Sequence, residues 1–181
     1  MQTRARPGVR GAAMALAAGA ATLACSPVLD WREARPEGSG AELMFPCRPA
    51  QQERTVRIGA AVVPMQLHSC TAGGATFALA TVDVADPAGV GPLLGVLRAG
   101  AAANLGGTAS EEGAFSPPGA TPNGQSARLV VVGQRADGRR VVARAAFFVK
   151  GLRLYQATVL GADDAGGREA VDTFFGAIRL P

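Results

Sequence analysis

The sequence predicts an α+β protein: an N-terminal signal peptide followed by an antiparallel β-sheet of about six or seven strands with two main helices packed on it. Two observations support this class. Short segments with β-branched and aromatic residues alternate with polar or Gly-containing breaks, as expected for strands. Two other segments place apolar residues at helical spacing. The chain has 181 residues, which leaves room for one domain after an export segment.

The N-terminus has the layout of a secretory signal peptide. A basic stretch ends at Arg10, an apolar stretch covers 11–24, and small residues precede Cys25. The apolar stretch is shorter than the roughly 20 residues that cross a bilayer as a helix. We therefore predict that residues 1–24 are a removable signal peptide and that the chain has no permanent transmembrane helix.

The end of this segment, Ala21-Thr22-Leu23-Ala24-Cys25, resembles the lipobox of bacterial lipoproteins, in which the Cys is acylated and becomes the new N-terminus. The resemblance implies that Cys25 anchors the protein in a membrane of the cell envelope. Ser26 after the Cys favours the outer membrane, facing the periplasm. The sequence departs from the lipobox at Thr22, where Leu is usual. Ordinary cleavage after Ala18-Gly19-Ala20 is the alternative.

The cysteine count supports the anchor. Three cysteines in an exported chain leave one unpaired, and a free thiol is reactive in an oxidising compartment. Acylation of Cys25 would leave Cys47 and Cys70 as a pair, and we predict a disulfide between them. The bridge needs the strands that carry them to be neighbours, which we expect of the first and third strands. Two buried free thiols are the alternative.

Residues 25–40 are mostly polar and contain two prolines, which predicts a flexible, lipid-anchored tether. Trp31 is the exception in this segment. Either it docks the tether on the domain, as a large ring in its own groove often does, or it is a candidate contact for a partner. A single domain is expected to follow at 41–181.

The first half of that domain reads as four strands and a helix. Gly73-Gly74 predicts a tight turn between the last two strands. Leu93, Leu94 and Leu97 belong to one face of the helix, which Gly106-Gly107 ends. The segment 108–125 has no periodicity and predicts a loop that is either functional or disordered. The predicted strands are 41–47, 53–58, 61–70 and 74–84, and the helix is 88–106.

The C-terminal part predicts three strands and a closing helix. Asp137-Gly138 predicts a two-residue hairpin turn in which both residues have positive φ. Lys150-Gly151 marks the next turn. The helix has an apolar stripe that includes Phe174, Phe175 and Ile178. The predicted strands are 127–134, 140–149 and 152–160.

Composition and motifs favour no catalytic or cofactor chemistry. The net charge is +4, but Arg4, Arg6 and Arg10 lie in the signal segment, so the rest is nearly neutral and nucleic acid is not expected as a partner. His68 is the only histidine, which argues against a hydrolase triad and a metal site. We predict no enzyme activity, no metal and no cofactor.

Three segments carry a resemblance to the Mog1/PsbP-like fold: 43–46 at the domain start, 147–156 in the strand meander and 174–180 at the end. The N-terminal region, with Trp31, also resembles short lipoproteins of proteobacteria. The Mog1/PsbP resemblance implies that the protein binds other proteins, and it gives no catalytic residue to carry over to this chain.

The expected function is therefore a non-catalytic binding or structural role, in which the anchored domain presents a surface to another envelope protein. Trp31 and the segment 108–125 are the candidate contacts. The alternative is a carrier of a small apolar ligand held between sheet and helices, because an Ala- and Gly-rich core can leave a cavity.

Overall fold

A computed structural model describes residues 28–134, 137–161 and 167–181. The predicted signal peptide and Cys25 lie outside the described residues. The α+β class is confirmed: a seven-stranded antiparallel sheet is accompanied by a small two-stranded sheet and two helices. Within the described ranges, no helix has the length and apolar character needed to cross a bilayer.

The two strands of the small sheet come first in the chain, and each helix follows a group of strands of the large sheet. In chain order the elements are β1 (Arg32–Ala34), β2 (Leu43–Phe45), β3 (Ala50–Ile58), β4 (Ala61–Ala72), β5 (Ala75–Asp83), α1 (Val90–Asn104), β6 (Thr108–Ala114), β7 (Ala127–Gln134), β8 (Arg140–Lys150), β9 (Arg153–Gly161) and α2 (Gly167–Gly176). The large sheet has the order β3-β4-β5-β9-β8-β7-β6, with all pairs antiparallel. Strands β3 and β6 are its edges.

Local signals place the first hairpins and α1. Gly73 and Gly74 both have positive φ, 58° and 77°, and form the predicted tight turn between β4 and β5. Helix α1 ends at Asn104, and Gly106 follows in the left-handed region with φ 53°. A Cβ on Gly107 would lie 2.1 Å from the Val132 carbonyl oxygen. A glycine is therefore needed where the chain leaves α1 and passes over β7.

Both faces of the large sheet are packed, one by α1 and the other by α2 together with the small sheet. On the α1 face, the fully buried Leu94 of the helix belongs to one core cluster with Phe147 and Leu154 of the sheet. On the α2 face, the rings of Phe77 and Phe174 meet edge to face with centroids 5.4 Å apart. Burial of such side chains is the main source of stability of the fold.

The segment 108–125 differs from the predicted loop. Its first part is the edge strand β6, which pairs with β7 through a bulge between Glu111 and Gly113. Its side chains are almost all exposed, so its sequence lacks the alternation of apolar and polar residues that identifies a half-buried strand. The rest is held on the domain: Phe115 packs edge to face on Phe148, and the Thr121 N–H donates to the Val149 carbonyl at 2.7 Å.

Residues 32–34, which fall in the predicted tether, form β1 and pair with β2. The following loop is fixed by a polar network. The Arg153 guanidinium binds both carboxylate oxygens of Asp83, at 2.6 and 2.8 Å, and also donates to the Gly38 carbonyl. The Tyr155 hydroxyl donates to the carbonyl of the buried Ser39 at 2.9 Å. A flexible tether therefore does not extend through β1 to residue 40, because these contacts hold the segment on the sheet.

The turn between β7 and β8 also differs from its prediction. Gln134 pairs with Arg140, so the connection is longer than two residues. Gly138 has positive φ at 79°, but Asp137 does not, and its carboxylate instead accepts the Arg139 N–H at 3.0 Å. The turn after Lys150 is as predicted, with Gly151 at φ 56°.

Candidate functional site

Cys47 and Cys70 form the predicted disulfide, with Cα atoms 5.9 Å apart. The strand arrangement behind the prediction is wrong, because β2 pairs with β1 and does not pair with β4. Cys47 lies in the bend between β2 and β3. Since Ala50 of β3 pairs with Ser69 of β4, this bend comes to lie beside Cys70. The bridge ties the bend to the second strand of the sheet.

Trp31 is partly buried and packs on the domain. Its ring meets Phe77 edge to face, with centroids 5.8 Å apart, in the core of the α2 face. This contact is the docking role that the sequence left open. A contact between Trp31 and a partner protein stays a prediction, and it concerns only the part of the ring that faces solvent.

His68 lies on β4 and is 3% exposed. Neither ring nitrogen has a hydrogen-bond partner among the described residues. Burial lowers the pKa of His68, and the Glu37 carboxylate opposes this shift as the smaller cause. A metal pair with Cys70 is excluded because that sulfur is in the disulfide. Within the described ranges, no group of three His, Cys, Asp or Glu side chains could hold a metal ion.

We predict that the protein loses stability between pH 7 and pH 5. Because burial lowers the folded-state pKa of His68, the unfolded chain binds a proton more readily below about pH 6.5. The stability that the neutral, buried His68 contributes is fully present above about pH 6.5 and decreases as the pH falls below it. Asp83, whose pKa is lowered by Arg153, acts with the same sign but near pH 4 and below.

Urea unfolding at pH 7.5, 6.5 and 5.5 measures this effect. The control variant is His68→Leu, which removes the only histidine in the chain. Its free energy of unfolding should change less over this interval than that of the parent protein. An equal pH dependence in the two proteins would show that His68 is not its source.

A groove of about 410 Å³, lined mainly by apolar residues, lies between α1 and strands β3, β4, β5 and β9. We call it the α1 groove. Helix α1 contacts β6, β7, β8 and β9 and also reaches β3, but it covers β4 and β5 less closely. The floor contains Leu67, Ala78, Ala80 and Thr158, and Val96 and Gly100 are in the helix wall.

Small side chains create the groove. Ala78 and Ala80 of β5 pair with Thr158 and Gln156 of β9, so the middle of the floor has little side-chain volume. On the helix, a Cβ at Gly100 would meet nothing within 4 Å. Elsewhere on this face, larger side chains such as Phe147 and Leu94 fill the space under α1. The groove therefore results from small side chains under the helix, and no helix or strand is displaced to form it.

The polar residues that line the α1 groove lie at both of its ends and in the middle of its floor. Arg57 comes from the end of β3, and Asn104 and Thr76 lie at the other end, near the turn between β4 and β5. Gln156 and Thr158 of β9 lie between them. Arg57 is the one charged residue that lines the groove. An apolar floor with a few polar groups is typical of a site for a small, mainly apolar molecule.

A second cluster lies on the opposite face and consists of charged residues. Arg128 lies between Glu112 and Asp172, at 3.7 and 3.6 Å, with its guanidinium 4.9 Å from the Phe175 ring centroid. Arg144 lines the same cleft, which has about 120 Å³. Arg168 lines it as well, and both carboxylates pair with Arg128. The pair between Arg128 and Asp172 links α2 to the sheet, so this cluster is best described as ion pairing.

Sequence reasoning identified the disulfide and the docked Trp31 but not the residues of the α1 groove. No catalytic residue was predicted, and that absence stays a prediction. No protein-family model matches the chain, and a comparison with curated proteins finds no similar sequence.

Proposed function

We propose that this protein is an envelope lipoprotein whose domain binds a small, largely apolar molecule in the α1 groove. The observation that carries the proposal is the groove itself. Its volume of about 410 Å³ falls in the range of roughly 300–1,000 Å³ that is common for ligand sites. Val96 in its wall is 42% exposed, so apolar surface of the helix is accessible to a ligand there. A bound molecule would cover this surface.

The lipoprotein part of the proposal rests on the N-terminal sequence. The basic, apolar and small-residue regions before Cys25 follow the order of a lipoprotein signal. The disulfide between Cys47 and Cys70 agrees with export, since such bonds form and persist in oxidising compartments. We propose the outer membrane, facing the periplasm, as the location. The resemblance to the Mog1/PsbP-like fold stays a prediction.

A second candidate function is docking of another envelope protein on the edge of the sheet. Strand β3 (Ala50–Ile58) pairs with β4 on one side, and no described strand pairs with its other side. It has nine residues and no proline, so its free backbone groups could receive a strand of a partner. Substitutions in the α1 groove would leave this mode of binding unchanged, which separates the two functions.

The groove is tested by filling it. The full chain carrying Cys25→Ala is titrated with N-phenyl-1-naphthylamine, a neutral apolar fluorophore, and the change in emission gives its affinity. We expect saturable binding, and we expect Ala78→Phe and Gly100→Leu each to weaken it at least tenfold by occupying the space. Gly100→Leu also replaces a helical glycine, which favours the helix.

The matched control is Ala109→Phe, at an exposed position of β6 that is not part of the groove. It should bind the fluorophore like the parent, and thermal unfolding should show that all three variants are folded. If the two groove variants bind as tightly as the control, the ligand site is elsewhere. Native mass spectrometry of the protein from its own envelope should show a co-purifying molecule in the parent and not in Gly100→Leu.

A further inference from the structure

Strand β3 is an edge of the large sheet, and no described strand pairs with its outer side. Its nine residues pair with β4 without a bulge, and residues 50–55 are all exposed. The other edge, β6, is interrupted by the bulge between Glu111 and Gly113. Bulges of this kind hinder the addition of a further strand to an edge. Of the two edges, β3 therefore presents the more regular row of free backbone groups.

The charged residues on one face of β3 are arranged symmetrically. Val56 and Ile58 pack in the core cluster of the α1 face. Since side chains alternate along a strand, those of Glu53, Thr55 and Arg57 lie on the α2 face. Glu53 and Arg57 are each two residues from Thr55, one before it and one after it. They are about 13 Å apart along the strand, four residues at roughly 3.3 Å each, and cannot pair with each other.

Neither charge is balanced within the described part of the domain. Glu53 and Arg57 are both exposed, and neither side chain takes part in an ion pair there. The residues opposite them on β4 are Gln66 and Val62, which are uncharged. A strand on the outer side of β3 that brings a cation to Glu53 and an acid to Arg57 would balance both.

A second copy of β3 is such a strand. When two copies run antiparallel about a two-fold axis at Thr55, Glu53 of each copy lies opposite Arg57 of the other. Cross-strand pairs of opposite charge stabilise a sheet, whereas like charges destabilise it. A shift of two residues in one direction places Arg54 opposite its own equivalent. The same shift in the other direction places Glu53 opposite Gly59, without a charge partner. The charges therefore favour one register.

We infer that the domain forms a homodimer in which two β3 strands pair antiparallel about Thr55, joined by two ion pairs between Glu53 and Arg57. The two large sheets then form one continuous sheet. Both α2 faces, each with its docked Trp31, lie on the same side of it, so two anchored chains could pair on one membrane. The inference names a second copy as the strand that this edge receives, and it does not depend on a ligand in the α1 groove.

Exchange of the two charges tests the dimer. Sedimentation equilibrium of the full chain carrying Cys25→Ala, at about 5–500 µM, should show a reversible dimer with Kd on the order of 100 µM, since a strand pair is a small interface. Glu53→Arg and Arg57→Glu each place like charges opposite one another and should weaken association at least tenfold. An equal mixture of these two variants restores both opposite-charge pairs and should form a heterodimer about as tight as the parent dimer.

The matched control is Glu33→Arg, which makes the same charge change at an exposed position of β1 and should dimerise like the parent. Thermal unfolding should show that every variant is folded. The register is tested with a short bismaleimide: Thr55→Cys should be cross-linked to its equivalent. Gln51→Cys should not, because eight residues, about 26 Å, would separate it from its own equivalent along the paired strands.

Two outcomes would overturn the inference. A parent that stays monomeric over the whole range would leave the edge to a strand of another envelope protein. Equal association of the parent and both charge variants would place the dimer contact on another surface. The ligand proposal is tested separately, because Gly100→Leu should dimerise like the parent and Glu53→Arg should bind the fluorophore like the parent. A monomeric parent that binds the fluorophore would contradict the dimer alone, and a dimeric parent that does not bind it would contradict the groove alone.

Discussion

Removal of the Cys47–Cys70 disulfide will destabilise the domain by about 3 kcal/mol, because the bond restricts the unfolded chain over the 23 residue positions that separate the cysteines. For a protein of this size, that change corresponds to a decrease of roughly 10 °C in Tm. The bond also has a local role. It holds the bend before β3, an edge strand whose side chains are nearly all exposed and which gains little from apolar burial.

Thermal unfolding followed by circular dichroism, with and without reducing agent, measures this loss. The double variant Cys47→Ala/Cys70→Ala should have the same low Tm with and without reducing agent, close to that of the reduced parent. The Cys25→Ala variant is the control and should keep the parent's sensitivity to the reducing agent. Thiol titration of the unfolded, unreduced protein that finds both Cys47 and Cys70 free would contradict the bond.

Replacement of Cys25 by Ala will move the protein from the membrane fraction to the soluble periplasm. Two or three acyl chains on Cys25 would bind a bilayer far more strongly than a single chain, whose binding is marginal. Without the thiol no acyl group can be attached. The described part of the chain offers no helix that could take over as an anchor.

Cell fractionation and labelling with an alkyne-bearing fatty acid measure the change. The parent should be labelled and membrane-bound, and Cys25→Ala should be unlabelled. Intact mass should be used to select molecules that have lost the signal segment, since an uncleaved segment could itself hold the chain in the membrane. The Cys47→Ala/Cys70→Ala variant is the matched control and should remain labelled. Label retained in Cys25→Ala would contradict the lipoprotein proposal.

Elements with local signals could be predicted from the sequence. The turn at Gly73-Gly74 needs positive φ at two successive residues, which only glycine adopts readily, and the structure has it there. The end of α1 at Gly106 has the same cause. Strand β8 has buried residues on both faces, and β7 and β9 have a buried face and a largely apolar sequence, so their positions were clear.

Elements without such signals were missed. Strands β1 and β6 are held mainly by backbone pairing, and their exposed side chains do not alternate in polarity. The α1 groove depends on the pairing of β5 with β9, which lie far apart in sequence. Ala78 and Ala80 are ordinary small residues of a strand until their neighbours are known. The disulfide could be predicted from the number of cysteines, but the elements that it connects could be identified only from the structure.

The position of β1 limits how far an anchored domain could reach. Only five residue steps separate Cys25 from Asp30, whose N–H donates to the Pro46 carbonyl at 2.9 Å. Fully extended, they span about 18 Å, whereas the predicted tether to residue 40 would span about 50 Å. Leu29 packs beside Gly73, at the same end of the sheet as Thr76 of the α1 groove. An acylated Cys25 would therefore keep that end of the groove next to the lipid surface, where an apolar molecule could enter it directly from the bilayer.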